Sequence, residues 1–285
     1  MTHGGLETVL EGLAFPEGPR WHDGRLIFSD MHGQQVISLA PDGAHQVVAE
    51  VPKDPSGIGW LPDGRMLVVS MRDRRVLRQE PDGSLVEHAN LWDLAPYHCN
   101  DMVVDAIGRA YVGNFGFDIH LRETPRTTAL LAVEPDGGAR VVADEMAFPN
   151  GAVITPDGGT LIVGESMAAR LTAFDISADG SLANRRLFAQ LEGGVLPDGI
   201  CLDAAGAIWS ACPMTGRVLR VAEGGDVLRV VETGRAGAFA CMLGDDDRRT
   251  LYVCTASTSV PKECKERRDG RIERMRVEVP GAGLP

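Results

Sequence analysis

Apolar and polar residues alternate in short runs along the chain, and glycine or proline ends each run before it could extend into a helix of ordinary length. No apolar i, i+3, i+4 pattern persists, so the periodicity is that of strands burying one face. Pro-Asp-Gly recurs at Pro41, Pro62, Pro81, Pro135 and Pro156. This tripeptide suits tight turns, because proline presets φ and glycine accepts left-handed backbone. The clearest unit begins at Gly57-Ile58-Gly59-Trp60, turns at Asp63-Gly64 and continues through Arg65 to Ser70. Arg75 to Arg78 follows, and after Pro81-Asp82-Gly83 the run Leu85 to His88 completes a four-stranded meander.

Equivalent units fit the whole chain, with first turns near Gly24, Gly64, Gly108, Gly158, Gly206 and Asp247. The period of roughly 40 to 50 residues is that of propeller blades. Six such units predict an all-β fold, a six-bladed β-propeller with four-stranded blades, in which residues 1–285 form a single domain. The N-terminal segment Glu7 to Glu11 and the C-terminal segment Arg274 to Val279 are left over. Both read as strands of one shared blade, which closes the ring without an open edge.

The register carries a second repetition. Phe15-Pro16-Glu17-Gly18, Phe148-Pro149-Asn150-Gly151 and Leu196-Pro197-Asp198-Gly199 share an apolar residue, proline, an oxygen-bearing side chain and glycine, and Cys99-Asn100-Asp101 is a cousin. Each stands ahead of the first turn of its unit. Taken singly these are turn sequences; in common register they place Glu17, Ser56, Asn100, Asn150, Asp198 and Phe239 at the start of successive innermost strands. All six then meet at one mouth of the central channel. Glu17, Asn100, Asn150 and Asp198 offer only oxygen donors of strength, which predicts a site for one hard divalent cation. The mixture of neutral and charged oxygens favours Ca²⁺, with Mg²⁺, Mn²⁺ and Zn²⁺ as alternatives; Zn²⁺ lacks its usual His and Cys ligands here.

Loops between the second and third strands of each blade return to the same face. They read Met31-His32, Met71-Arg72-Asp73, Asn114 to Asp118, Glu165-Ser166-Met167, Cys212-Pro213-Met214 and Thr255-Ala256-Ser257. Met71, Phe115, Phe117, Met167 and Met214 are therefore candidate walls of an adaptable apolar pocket. His98, two residues before Asn100, is expected at the same mouth as a substrate contact or proton shuttle. Asp101 is expected to point away from it.

Composition narrows the partners. A formal charge of −12 argues against nucleic acid, and the one basic run, Lys262 to Arg268, is mixed with Glu263 and Glu266 and reads as a solvated loop. No apolar stretch is long enough to span a bilayer, and the start Met1 to Glu7 lacks the pattern of a secretory leader. Six cysteines without a C-x-x-C pair suit a reducing, cytoplasmic setting. The expected partner is a small molecule, and the expected state a monomer or small homo-oligomer.

At these motifs the chain resembles a known family. Leu13 to Trp21, Asn100-Asp101 with Val104-Asp105-Ala106-Ile107-Gly108-Arg109, Phe148 to Gly151 and Leu196 to Gly199 look like signatures of the senescence marker protein, gluconolactonase and luciferin-regenerating enzyme family. The resemblance spans nearly the whole chain. It implies a six-bladed propeller whose central metal is held by Glu17, Asn150 and Asp198, with Asn100 near metal and substrate. It also implies lactone hydrolysis with Asp198 as general base. Sugar-lactone members usually carry arginine where this chain has His98, and an acidic motif where it has Phe115-Gly116-Phe117-Asp118. These departures point away from a polyhydroxylated sugar.

The expected chemistry is thus metal-assisted hydrolysis of a lactone or related ester, in which Asp198 activates water and Asn100 orients water or substrate. Two alternatives use the same ring: hydrolysis of a phosphotriester, and a non-catalytic calcium-binding propeller.

Overall fold

Each Pro-Asp-Gly turn is closed in the same way. The side chains of Asp42, Asp63, Asp82, Asp136 and Asp157 accept a hydrogen bond from the backbone N–H two residues on, at 2.9 to 3.1 Å. The glycine that follows each aspartate has φ between +72° and +92°. Sequence-local chemistry therefore sets the strand reversals, and the strands stack as meanders. The computed structural model describes residues 5–119, 121–234 and 237–283; residues 1–4, part of the start read above for a leader, lie outside the described residues.

Six four-stranded antiparallel sheets form the molecule. The first blade comprises Pro16–His22, Arg25–Asp30, Gln35–Leu39 and His45–Glu50, in that order from the axis outward. The innermost strands of the next four are Pro55–Trp60, Cys99–Val104, Pro149–Ile154 and Ile200–Leu202. Each touches the innermost strand of the blade on either side, and Pro16–His22 also touches Gly237–Gly244 of the sixth blade, so the ring is closed. The result is a six-bladed β-propeller.

The sixth blade takes its outermost strand, Glu7–Leu13, from the start of the chain and pairs it with Gly270–Arg276. The shared blade is as expected, but the C-terminal strand begins earlier than the Arg274 to Val279 read from the sequence. Gly270 and Ile272 are buried, and their alternation fixes the register further upstream. The run Lys262 to Arg268 is also not a loop: Pro261–Arg267 is an α-helix with proline in its first turn and an i, i+4 pair between Glu263 and Arg267 at 2.8 Å. Proline is well placed there because the N–H it lacks has no partner inside the helix.

Closure buries Leu13, Phe28, Ile37, Leu243, Tyr252 and Ile272 in one apolar cluster that joins the first and sixth blades. Ile272, fully buried on the C-terminal strand, carries the test of that join. Ile272→Ala should lower the unfolding free energy by about 2–5 kcal/mol in a denaturant titration. A loss below about 0.5 kcal/mol, as for a surface position, would show that the closing strand is not part of the core.

Candidate functional site

The marked residues do occupy equivalent places. Glu17, Ser56, Asn100 and Asn150 are each the second residue of an innermost strand, and Asp198 lies two residues before Ile200. The ladder slips at the marked residue, between Glu17 and Arg20, Pro55 and Ile58, Cys99 and Met102, Pro149 and Ala152, and Ala238 and Ala240. A bulge at the same place in five blades re-aims the side chain there toward the axis.

The glycines that follow serve mainly close approach. A Cβ on Gly151 would lie 2.5 Å from Ile200 N, one on Gly199 2.5 Å from Ala240 Cβ, and one on Gly57 2.3 Å from Met102 N. Only Gly18 among these has a left-handed backbone, with φ +53°. The innermost strands can converge only because these positions carry no side chain. Below the mouth, Arg20 ties three blades together. Its guanidinium donates to Asp101 Oδ1 and Met102 O, both at 2.6 Å, and to Ile58 O at 3.1 Å. Asp101 thus points away from the mouth, as expected, and into the axis.

Above this plug opens a cavity of about 190 Å³. Glu17, Asn100, Asn150 and Asp198 line it together, and so do Met71, Phe115 and Met214. His98, Phe117 and Met167 do not. His98 stacks on Tyr97 with ring centroids 4.0 Å apart, Phe117 packs edge-on beneath Phe148 at 6.0 Å, and Met167 is exposed on its loop. Sequence reasoning missed Phe15 and Phe148 and placed Phe239 at the mouth without a role; all three form much of the wall. Phe15 meets Phe239 edge-on and Phe115 stacks on Phe148, both at 4.6 Å. The signal was present: Phe15, Phe148 and Leu196 are the apolar members of the repeated motif itself. His32, also in the wall, lies in the Met31-His32 loop, where it carried no expected role.

The floor is electrostatically uneven. Burial pushes the Asp198 carboxyl up to about 8, although a hydrogen bond from Asn150 pulls the other way. Glu17 is raised well above the usual carboxylate range by burial and then by the charges of Asp198 and Asp101; Gly18 N–H, 3.0 Å from its Oε2, and Arg20 offset part of this. Both carboxylates keep partial contact with solvent on the cavity side, while protein surrounds them elsewhere. The carboxamides are held: Asn150 donates to Ser166 Oγ at 3.2 Å, and Asn100 Oδ1 accepts from Ser56 Oγ at 3.4 Å. Among the described residues no three His, Cys, Asp or Glu side chains form a ligand cluster. The donor set is instead two carboxylates and two carboxamides, hard oxygens that fit a divalent cation of the Ca²⁺ kind and not a soft metal.

Fold and site define a six-bladed propeller with an oxygen-lined, aromatic-walled pocket at one end of its axis. A family model described as the SMP-30/Gluconolactonase/LRE-like region matches residues 15–257, and the chain belongs to that family. Among relatives, a 6-deoxy-6-sulfogluconolactonase of Pseudomonas putida is 31% identical over 291 residues, covering 97% of this chain and 96% of its own. Regucalcin of Xenopus laevis is 28% identical over 266 residues, covering 91% and 89%. The crystal structure of a calcium-binding protein, regucalcin, from Agrobacterium tumefaciens superposes with a TM-score of 0.81 at 21% identity, covering 97% of this chain and 94% of that one. This last likeness is one of fold.

The raised Asp198 carboxyl has a consequence for stability. It is neutral in the folded chain and ionises in the unfolded chain above pH of about 4, so its stabilising contribution is complete below that pH and is lost as pH rises toward about 8. In a chelator, the melting temperature should therefore fall from pH 5 to pH 8, and Asp198→Asn should flatten that fall. Identical profiles for the two proteins would contradict this electrostatic picture.

Proposed function

We propose that the protein is a divalent-cation-dependent lactone hydrolase acting on a substrate more apolar than a simple sugar lactone. One observation carries the proposal: Glu17, Asn100, Asn150 and Asp198 share the floor of a single small-molecule cavity. The family, with lactonases among its members by name, supports the reaction class. Glu17, Asn150 and Asp198, with Asn100 beside them, would hold the cation, Ca²⁺ by preference. When bound, the cation polarises the lactone carbonyl and offsets the negative charge of the tetrahedral oxygen.

The chain's own residues do the rest. Beside a positive charge, Asp198 becomes a carboxylate at neutral pH and can accept a proton from water. Asn100, restrained by Ser56, orients that water or the substrate oxygen. Buried Phe15, Phe115, Phe148, Phe239 and Met71 exclude bulk water, with Met214 exposed at the rim, and they offer ring faces and thioethers, not the hydrogen-bond partners a polyol needs. A sugar lactone in this space would leave hydroxyls unpaired, which disfavours it. Six free, buried cysteines support a reducing, cytoplasmic setting.

Acid release from dihydrocoumarin and from gluconolactone, in Ca²⁺, tests both parts. The aromatic lactone should show the higher kcat/KM by about tenfold or more, the scale on which such pockets discriminate. Asp198→Asn, which keeps an oxygen for the cation but removes the base, should lower kcat by about 10²–10⁴-fold. Preference for gluconolactone would overturn the apolar pocket, and full activity of Asp198→Asn would overturn the base.

A further inference from the structure

His32 belongs to the cavity wall yet has no part in the chemistry above. It is 6% exposed and sits in a short 3₁₀ turn, Met31–Gly33, with its ring stacked on Phe15 at a centroid distance of 5.3 Å. Its Nδ1 lies 3.4 Å from Asp54 Oδ2 without the alignment of a hydrogen bond, and is otherwise unpartnered. Catalytic hydrogen bonds are often this long before substrate is bound, and a small ring rotation would complete the contact.

Asp54 is built for that contact. It is 1% exposed and is held by Arg72 on the same Oδ2 at 2.6 Å and by Gln34 Nε2 on Oδ1 at 3.2 Å. Its backbone has φ +65°, an uncommon state for a non-glycine residue, of the sort that surrounding structure must enforce and that gathers at functional sites. Burial alone would raise its carboxyl, but His32, Gln34 and Arg72 together hold it below the ordinary range. A carboxylate facing Nδ1 holds a proton on that nitrogen and orients the ring. Nε2 is then the nitrogen left for the cavity. Further charges near the turn are Asp30, with Arg268 at 3.9 Å, and the floor carboxylates Glu17 and Asp198 of the same cavity. Helix Pro261–Arg267 packs against the turn and buries Cys264 there.

We propose that His32, positioned by Asp54, is the general acid that protonates the leaving oxygen of the lactone ring. The inference rests on the lactonase reading. As water adds to the carbonyl carbon, its proton passes to Asp198. When the C–O bond of the ring breaks, its electron pair goes to the ring oxygen, which takes the proton from His32 Nε2. Solvent then returns a proton to His32 and removes one from Asp198. Two acid–base groups thus serve opposite ends of one reaction, one on the floor and one in the wall.

A general acid matters most for a poor leaving group, so the test compares δ-valerolactone, which leaves as an alkoxide, with dihydrocoumarin, which leaves as a phenoxide. His32→Gln should lower kcat/KM for δ-valerolactone by about 10²-fold and for dihydrocoumarin by less than about tenfold. Asp54→Asn should show the same bias to a smaller extent, and it decides the matter if His32→Gln does not fold. Equal losses on the two lactones, a greater loss on dihydrocoumarin, or no loss at all would overturn the proposal. Equal losses leave the lactonase reading standing; hydrolysis of neither lactone by the unaltered protein would remove both.

Discussion

Three carboxylates meet near one axis beside the guanidinium of Arg20. Glu17, Asp101 and Asp198 feel one another's charge, and Arg20 is committed to Asp101 and to the carbonyls of Ile58 and Met102. Burial raises the Asp101 carboxyl more than Arg20 lowers it, so even the paired acid is under strain from its surroundings. Like charges so placed raise one another's pKa or recruit a cation. The propeller enforces the crowding, because each innermost strand must approach its neighbours closely enough that Gly57, Gly151 and Gly199 have no room for a Cβ.

That same convergence shapes what lies above. The residue before each proline is carried to the rim with the oxygen-bearing residue after it, so Phe15, Phe148 and Leu196 wall the cavity whose floor Glu17, Asn150 and Asp198 form. A single four-residue motif thus supplies both the polar floor and the apolar wall. On the proposed function, substrate choice and chemistry are coupled through the backbone, and the loops add Met71, Phe115 and Met214 to the wall.

Much of this was legible in the sequence because it is written locally. Five Asp side chains close five turns through hydrogen bonds two residues long, and the turns set blade count and register, which in turn bring Glu17, Asn100, Asn150 and Asp198 together. What could not be read depends on contacts between distant segments. Arg20 meets Asp101 across 81 positions, and nothing near Arg20 marks it as an axial plug. His32 and Asp54 belong to different blades, so their pairing is tertiary. His98, chosen for its position two residues before Asn100, is drawn onto Tyr97 instead, since stacking there outweighs an open place at the mouth. The C-terminal strand was displaced because Gly270, which a Cβ would drive into Pro16 and Leu13, reads as a break in sequence and is a close contact in space.

The central claim is that the crowded carboxylates answer to one cation at the axis. A crystal structure of the protein grown with Ca²⁺, with the ion identified by anomalous scattering, tests it most directly. The account predicts a single ion whose ligands include oxygens of Glu17, Asn150 and Asp198 at about 2.3–2.6 Å. An ion bound elsewhere, or an axis that stays free of metal at saturating Ca²⁺, would contradict it.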